Sequence, residues 1–166
     1  MKKMFAVMLL AGFILCCKTQ PNPTTFSADA LSDTFINTEG ASITLQSILE
    51  ANQGKTVLID VWASWCRDCI EGMPDIKSMQ DEYSDVAFVF MSMDKSQKSW
   101  KNGIQKYELN GQHYFMPDGW KSAFSEFLDL DWIPRYLVVD GDGNISLFKA
   151  IKITDPLIKV HLDKNK

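Results

Sequence analysis

Cys66 and Cys69, at C-x-x-C spacing, are the residues of this 166-residue chain whose type and placement suit covalent chemistry. A thiolate attacks a disulfide, and a second thiol nearby can resolve the mixed disulfide that forms. Just upstream, Asp60 interrupts the apolar run Val57-Leu58-Ile59-Asp60-Val61-Trp62. A carboxyl inside such a run loses solvation, which favours its protonated form and raises its pKa. The alternative is a solvated carboxylate at a strand end, and the apolar residues on both sides argue against it.

The flanking pattern says how these groups are held. Residues 57–61 read as a strand buried on both faces. Beyond the cysteines, apolar residues recur at Ile70, Met73, Ile76 and Met79, which is one face of a helix. The cysteines therefore fall at the first turn of that helix. Unpaired N–H groups and the positive end of the helix dipole favour a thiolate there. Cys66 becomes the attackable nucleophile, and Cys69 lies one turn on as the resolving thiol. The same spacing is half a zinc site, but two more ligands would be needed. The only histidines, His113 and His161, are not in ligand-motif spacing. Thiols also take Cu(I), and Met91 and Met93 are close together, yet both suit the core of a strand. No metal site is expected.

The segment Asp60-Val61-Trp62-Ala63-x-Trp65-Cys66-x-x-Cys69, with Pro74 after it and Ile133-Pro134 downstream, resembles the active-site pattern of thioredoxins. From Thr34 to the C-terminus the chain is similar to the TlpA-like thiol–disulfide oxidoreductases of the bacterial envelope. The resemblance implies an α/β fold: a thioredoxin-like three-layer α/β/α sandwich with a mixed central sheet, an N-terminal β-hairpin and a helix-strand insertion. It implies a protein disulfide oxidoreductase in which Cys66 attacks, Cys69 resolves and Asp60 moves the proton of Cys69. It makes Pro134 cis and facing the cysteines. Ile133 would offer its backbone to an extended client, and Trp65 would line the contact surface. No cofactor is implied beyond the Cys66–Cys69 disulfide. Partners would be protein thiols and disulfides, with a membrane electron donor.

Three departures from that pattern stand out. Arg67-Asp68 replaces Gly-Pro between the cysteines. Arg67 should favour the Cys66 thiolate and Asp68 should oppose it. Gly72 stands where members serving cytochrome c maturation often carry an acid, with Glu71 one place away. Gly72 and Pro74 lie inside the helix, so a kink near Pro74 is expected. Two alternatives remain on the same residues. A thiol-dependent peroxidase on this fold would place a threonine where this chain has Ala63. The other is a non-catalytic copper-binding module, and the intact Trp65-Cys66-x-x-Cys69 with Pro134 argues against it.

Length suits one domain, and 46% hydrophobic with 23% charged residues suits a globular one. A net charge of −4 without a basic run argues against nucleic acid. The other cysteines, Cys16 and Cys17, follow Lys2-Lys3 and a short apolar stretch at 4–15, the form of a targeting segment. Ile14-Leu15-Cys16-Cys17 resembles a bacterial lipobox with Cys17 as the lipidated residue. Cys16 and an ordinary secretory signal are the alternatives. The expected organisation is signal peptide and lipobox at 1–17, tether at 18–28 and thioredoxin-like domain at 29–166. The product would be a monomeric lipoprotein anchored in the cell envelope and facing the periplasm.

Local patterns supply the remaining elements. A hairpin is expected at 34–36 and 43–45 around Gly40, and a short helix at 46–52. Residues 86–93 read as a buried strand. Asp94 is read as the cap of a helix burying Trp100, Ile104 and Tyr107, and Tyr114-Phe115 as a short strand. Trp120, Ala123, Phe124, Phe127 and Leu128 predict one continuous helix. Strands at 135–139 and 145–148 flank the turn Asp140-Gly141-Asp142-Gly143-Asn144. That turn is no EF-hand, since the twelve-residue span closes on Ile151 rather than Glu. A last helix starts at Pro156.

Overall fold

The computed structural model describes residues 21–164. Cys16 and Cys17, and with them the lipobox, lie outside the described residues. Helix α1 (Ala28–Ser32) leads into the hairpin β1 (Thr34–Asn37) and β2 (Ser42–Thr44). Thr44 then caps α2 (Leu45–Ala51), its hydroxyl accepting the Ser47 N–H. Next come β3 (Val57–Trp62), α3 (Arg67–Glu71), α4 (Met73–Glu82) and β4 (Ala87–Ser92). The helix-strand segment expected after β4 is α5 (Gln97–Tyr107) and β5 (Gln112–Phe115). A 3-10 turn (Gly119–Lys121), α6 (Ala123–Phe127), β6 (Arg135–Val139), β7 (Ile145–Ala150) and α7 (Pro156–Lys164) complete the described chain.

The strands form one mixed sheet in the order β2-β1-β5-β4-β3-β6-β7. β3, β4 and β5 are parallel, while β1 and β6 run against them. Every residue of β3 and of β6 is buried. Successive side chains of a strand point to opposite faces, so both faces of the sheet centre are covered. This is the three-layer arrangement that the apolar run at 57–61 demanded. The segment before α1 already joins the domain. Thr24 O accepts the Ile145 N–H at 2.7 Å, and the Phe26 ring lies 5.5 Å from Phe127.

Two local expectations are corrected and a third is refined. The helix expected across Trp120 to Leu128 is broken at Ser122, whose hydroxyl accepts the Ser125 N–H and caps α6 instead. A serine that bonds its own following backbone competes with helix continuation, and Trp120 is left 44% exposed. Asp94 does not cap α5; Ser96 does, accepting the Ser99 N–H at 3.1 Å. The break in the active-site helix, expected near Pro74, is refined to Gly72, between α3 and α4. Pro74 then sits in the first turn of α4, where its missing N–H costs nothing.

One close approach fixes α5 against the chain that follows β3. A Cβ on Gly103 would lie 2.7 Å from the Ser64 Cβ and 3.1 Å from the Trp62 ring. Neither neighbour is a flexible tip. Gly103→Ala should therefore destabilise the protein by about 1–2 kcal/mol, because overpacking outweighs the ~1 kcal/mol gained in helix propensity. Urea unfolding checks this, and a gain in stability would show that α5 is free to shift.

Candidate active site

The site lies where β3 ends and α3 begins. β3 carries Asp60 and Trp62 in the core, and the chain then turns through Ala63, Ser64 and Trp65 to Cys66. Asp94, at the end of β4, fastens this turn. Its buried carboxylate accepts the Ser64 N–H at 3.0 Å and the Ser64 Oγ–H at 2.6 Å. The Ser92 hydroxyl donates to the same carboxylate.

Cys66 is the N-cap residue of α3, and its sulfur accepts the Cys69 N–H at 3.1 Å. The helix terminus thus directs a backbone donor at the atom that bears charge in the thiolate form. Cys66 and Cys69 are joined by a disulfide, and both are buried. Across from them the Ile133-Pro134 peptide is cis, and Ile133 O lies 3.6 Å from Cys66 Sγ. The sealed cysteines are rimmed by exposed indoles, Trp65 at 51% and Trp132 at 60%. Trp62, by contrast, is core. Arg67 turns to Glu71, Nε to Oε1 at 2.8 Å, so its charge is shared with a carboxylate one turn along.

Asp60 is 2% exposed. Among the described residues neither of its carboxylate oxygens has a hydrogen-bond partner. Burial pushes its pKa well above the ordinary 3.8. No described group of three or more His, Cys, Asp or Glu side chains is arranged to hold a metal. His113 bonds Leu109 O and stacks on Phe90, and His161 bonds Ser146 Oγ. Met91 and Met93 are buried in and beside β4, as strand core.

A family model described as thioredoxin-like matches residues 54–145, from the turn before β3 to the start of β7. This chain belongs to the thioredoxin-like family. The thioredoxin-like protein YneN of Bacillus subtilis is 38% identical to it over 68 residues, 39% of this chain and 40% of that protein. The thiol-disulfide oxidoreductase ResA of Bacillus cereus is 27% identical over 73 residues, 43% of this chain and 40% of that one. The match thus spans about 40% of the length of either relative. A solution structure from Bacteroides vulgatus, described as a thiol-disulfide oxidoreductase, shares 29% identity. It covers 84% of this chain and 89% of its own, with a TM-score of 0.68.

In this thioredoxin-like chain the structure brings Cys66, Cys69, Ile133, Pro134 and Trp65 to one end of the sheet, with Asp60 in the strand that leads there. Three residues at that end escaped the sequence reading. Asp94 was assigned to a helix cap. Trp132 adjoins Ile133-Pro134, and that adjacency was its available sign. Tyr136 faces Asp60 across β3 and β6, a register that no pattern in one strand discloses.

The raised Asp60 pKa has a thermodynamic sign. Between 3.8 and the native value, the folded protein holds a proton that the unfolded chain has released. Stability must then fall as pH rises through that window, with a slope approaching ~1.4 kcal/mol per pH unit. Asp60→Asn removes this slope. Urea melts of the oxidised proteins from pH 4 to pH 8 should show the variant gaining on wild type as pH rises. A pH-independent difference would mean that Asp60 titrates normally.

Proposed function

We propose that this chain is a protein thiol–disulfide oxidoreductase working through Cys66 and Cys69. The observation that carries the reading is the cysteine pair at a helix N-terminus, opposite the Ile133-Pro134 cis peptide and ahead of a sealed carboxyl. In the reduced form the Cys66 thiolate, held by the Cys69 N–H, attacks one sulfur of a client disulfide. The client's S–S bond breaks, its other sulfur leaves as a thiolate and takes a proton from water, and a mixed disulfide remains. Cys69 then gives its proton to one oxygen of the Asp60 carboxyl as the other oxygen releases its own, and attacks Cys66 Sγ. The bond to the client breaks, and the client departs reduced by two electrons. The protein is left as the Cys66–Cys69 disulfide, and a dithiol protein restores it.

Client contact falls to Trp65, Trp132 and the Ile133 backbone. Exposed indoles give large rigid contact area at little entropic cost, and the cis Pro134 holds Ile133 O beside Cys66. The setting is the cell envelope, with Cys17 lipidated, the stretch between Cys17 and Thr24 as tether, a monomeric domain and a membrane protein as electron donor. Among the described residues no helix is long and apolar enough to cross a membrane.

The direct test is trapping. Cys69→Ser should leave attack intact and block resolution, so clients accumulate as mixed disulfides on Cys66 that dithiothreitol releases. Cys66→Ala should lose both trapping and dithiothreitol-driven insulin reduction. Insulin reduction at wild-type rate by Cys66→Ala would remove Cys66 from the chemistry.

A further inference from the structure

Asp60 cannot pass a proton onward by itself. Both its oxygens are buried and lack partners among the described residues, so the proton taken from Cys69 needs a route to solvent. The sheet register shows what stands beside it. In the antiparallel β3–β6 pair Asp60 lies directly opposite Tyr136, and opposed residues put their side chains on the same face. The residue opposite Asp60 on the other side, in β4, is Phe90, which carries no proton.

Tyr136 is fully buried, and among the described residues its hydroxyl also lacks a hydrogen-bond partner. A buried phenol without a partner is costly, so its place calls for an explanation. The hydroxyl sits beneath the break between α3 and α4, 3.6 Å from where a Gly72 Cβ would be. Tyr136 also lines a cleft of about 330 Å³ together with Gly72 and Pro134. The titratable groups on the cleft are Asp68, Glu71, Asp75 and Lys152. Asp68 and Glu71 are exposed, so the cleft meets solvent. Tyr136 therefore bridges the sealed carboxyl and a wet, charged cleft beside the cysteines.

Granted the exchange chemistry proposed above, we infer that the Tyr136 hydroxyl is the proton exit for Asp60. As one oxygen of the Asp60 carboxyl takes the proton of Cys69, the other gives its own across one water to Tyr136 Oη, and Tyr136 passes its own proton on toward the cleft. A hydroxyl can accept and donate together, so one proton moves and the phenol is unchanged. No tyrosinate forms, in keeping with burial, which pushes the Tyr136 pKa upward. Tyr136 is thus a positioning residue that acts through Asp60. Its hydroxyl bonds neither sulfur.

The test uses the reduced full-length chain and dithionitrobenzoate, which releases one chromophore on attack by Cys66 and a second on resolution by Cys69. Tyr136→Phe should leave the first phase within about twofold and slow the second about tenfold near neutral pH, less than the ~10²–10⁴ typical of losing a general acid or base outright. Imidazole, a small proton carrier, should restore the second phase. In an Asp60→Asn background, Tyr136→Phe should add nothing. Incorporation of 3-fluorotyrosine at 136, which keeps the shape and acidifies the phenol, should shift the pH profile of the second phase alone. An unchanged second phase in Tyr136→Phe would overturn the relay. So would equal slowing of both phases, or the same slowing with and without Asp60. Absence of a second chromophore release from wild type would instead overturn the exchange reading itself.

Discussion

A carboxyl group without a hydrogen-bond partner among the described residues, sealed in the middle of a seven-stranded sheet, is the feature on which this site depends. Burying Asp60 as a carboxylate would be prohibitive, so the sheet holds it as the acid. Its neighbours make that possible. On its row of the sheet stand His113, Phe90, Tyr136 and Ala150, one from each strand from β5 to β7. None of these carries a positive charge beside it, and His113 is itself pushed toward neutrality by burial. The same low-dielectric surroundings that cost stability keep a carboxylic acid in the strand that leads to the cysteines.

The sulfur chemistry is set by a second constraint, the junction of strand and helix. Cys66 caps α3 with its sulfur, so the Cys69 N–H is aimed at the charge that forms. That aim depends on the turn at 63–65 being rigid, which explains the investment of the Asp94 carboxylate in Ser64. It explains as well why α5 presents a glycine to Ser64. Gly72 ends α3 after little more than one turn and restarts the chain as α4. The hydroxyl of Tyr136 reaches the underside of that joint. Trp65 and Trp132 stand exposed in the segments that carry the buried cysteines and the cis peptide.

Local pattern made much of this legible. The strand at 57–61, the cysteines on the first turn of a helix, the hairpin around Gly40 and the last helix at Pro156 all follow from residues close together in the chain. So does burial of Asp60, whose flanking residues are all apolar. What escaped depends on contacts between distant segments. The pairing of Asp60 with Tyr136 is a matter of register, and the Asp94–Ser64 brace joins residues 30 apart. Ser122 broke an expected helix because a local side-chain bond outweighed a well-formed apolar periodicity. Trp120, the first residue of that periodicity, stands exposed.

The central claim is that Asp60 is an acid at neutral pH and is coupled to the cysteines. Carbon-13 NMR of the Asp60 carboxyl, assigned by its loss in Asp60→Asn, measures this directly in the oxidised and reduced protein. The account predicts a titration well above 3.8 in the oxidised form and a further upward shift on reduction, when a thiolate is generated nearby. A carboxyl that titrates near 3.8, with no response to reduction, would contradict it.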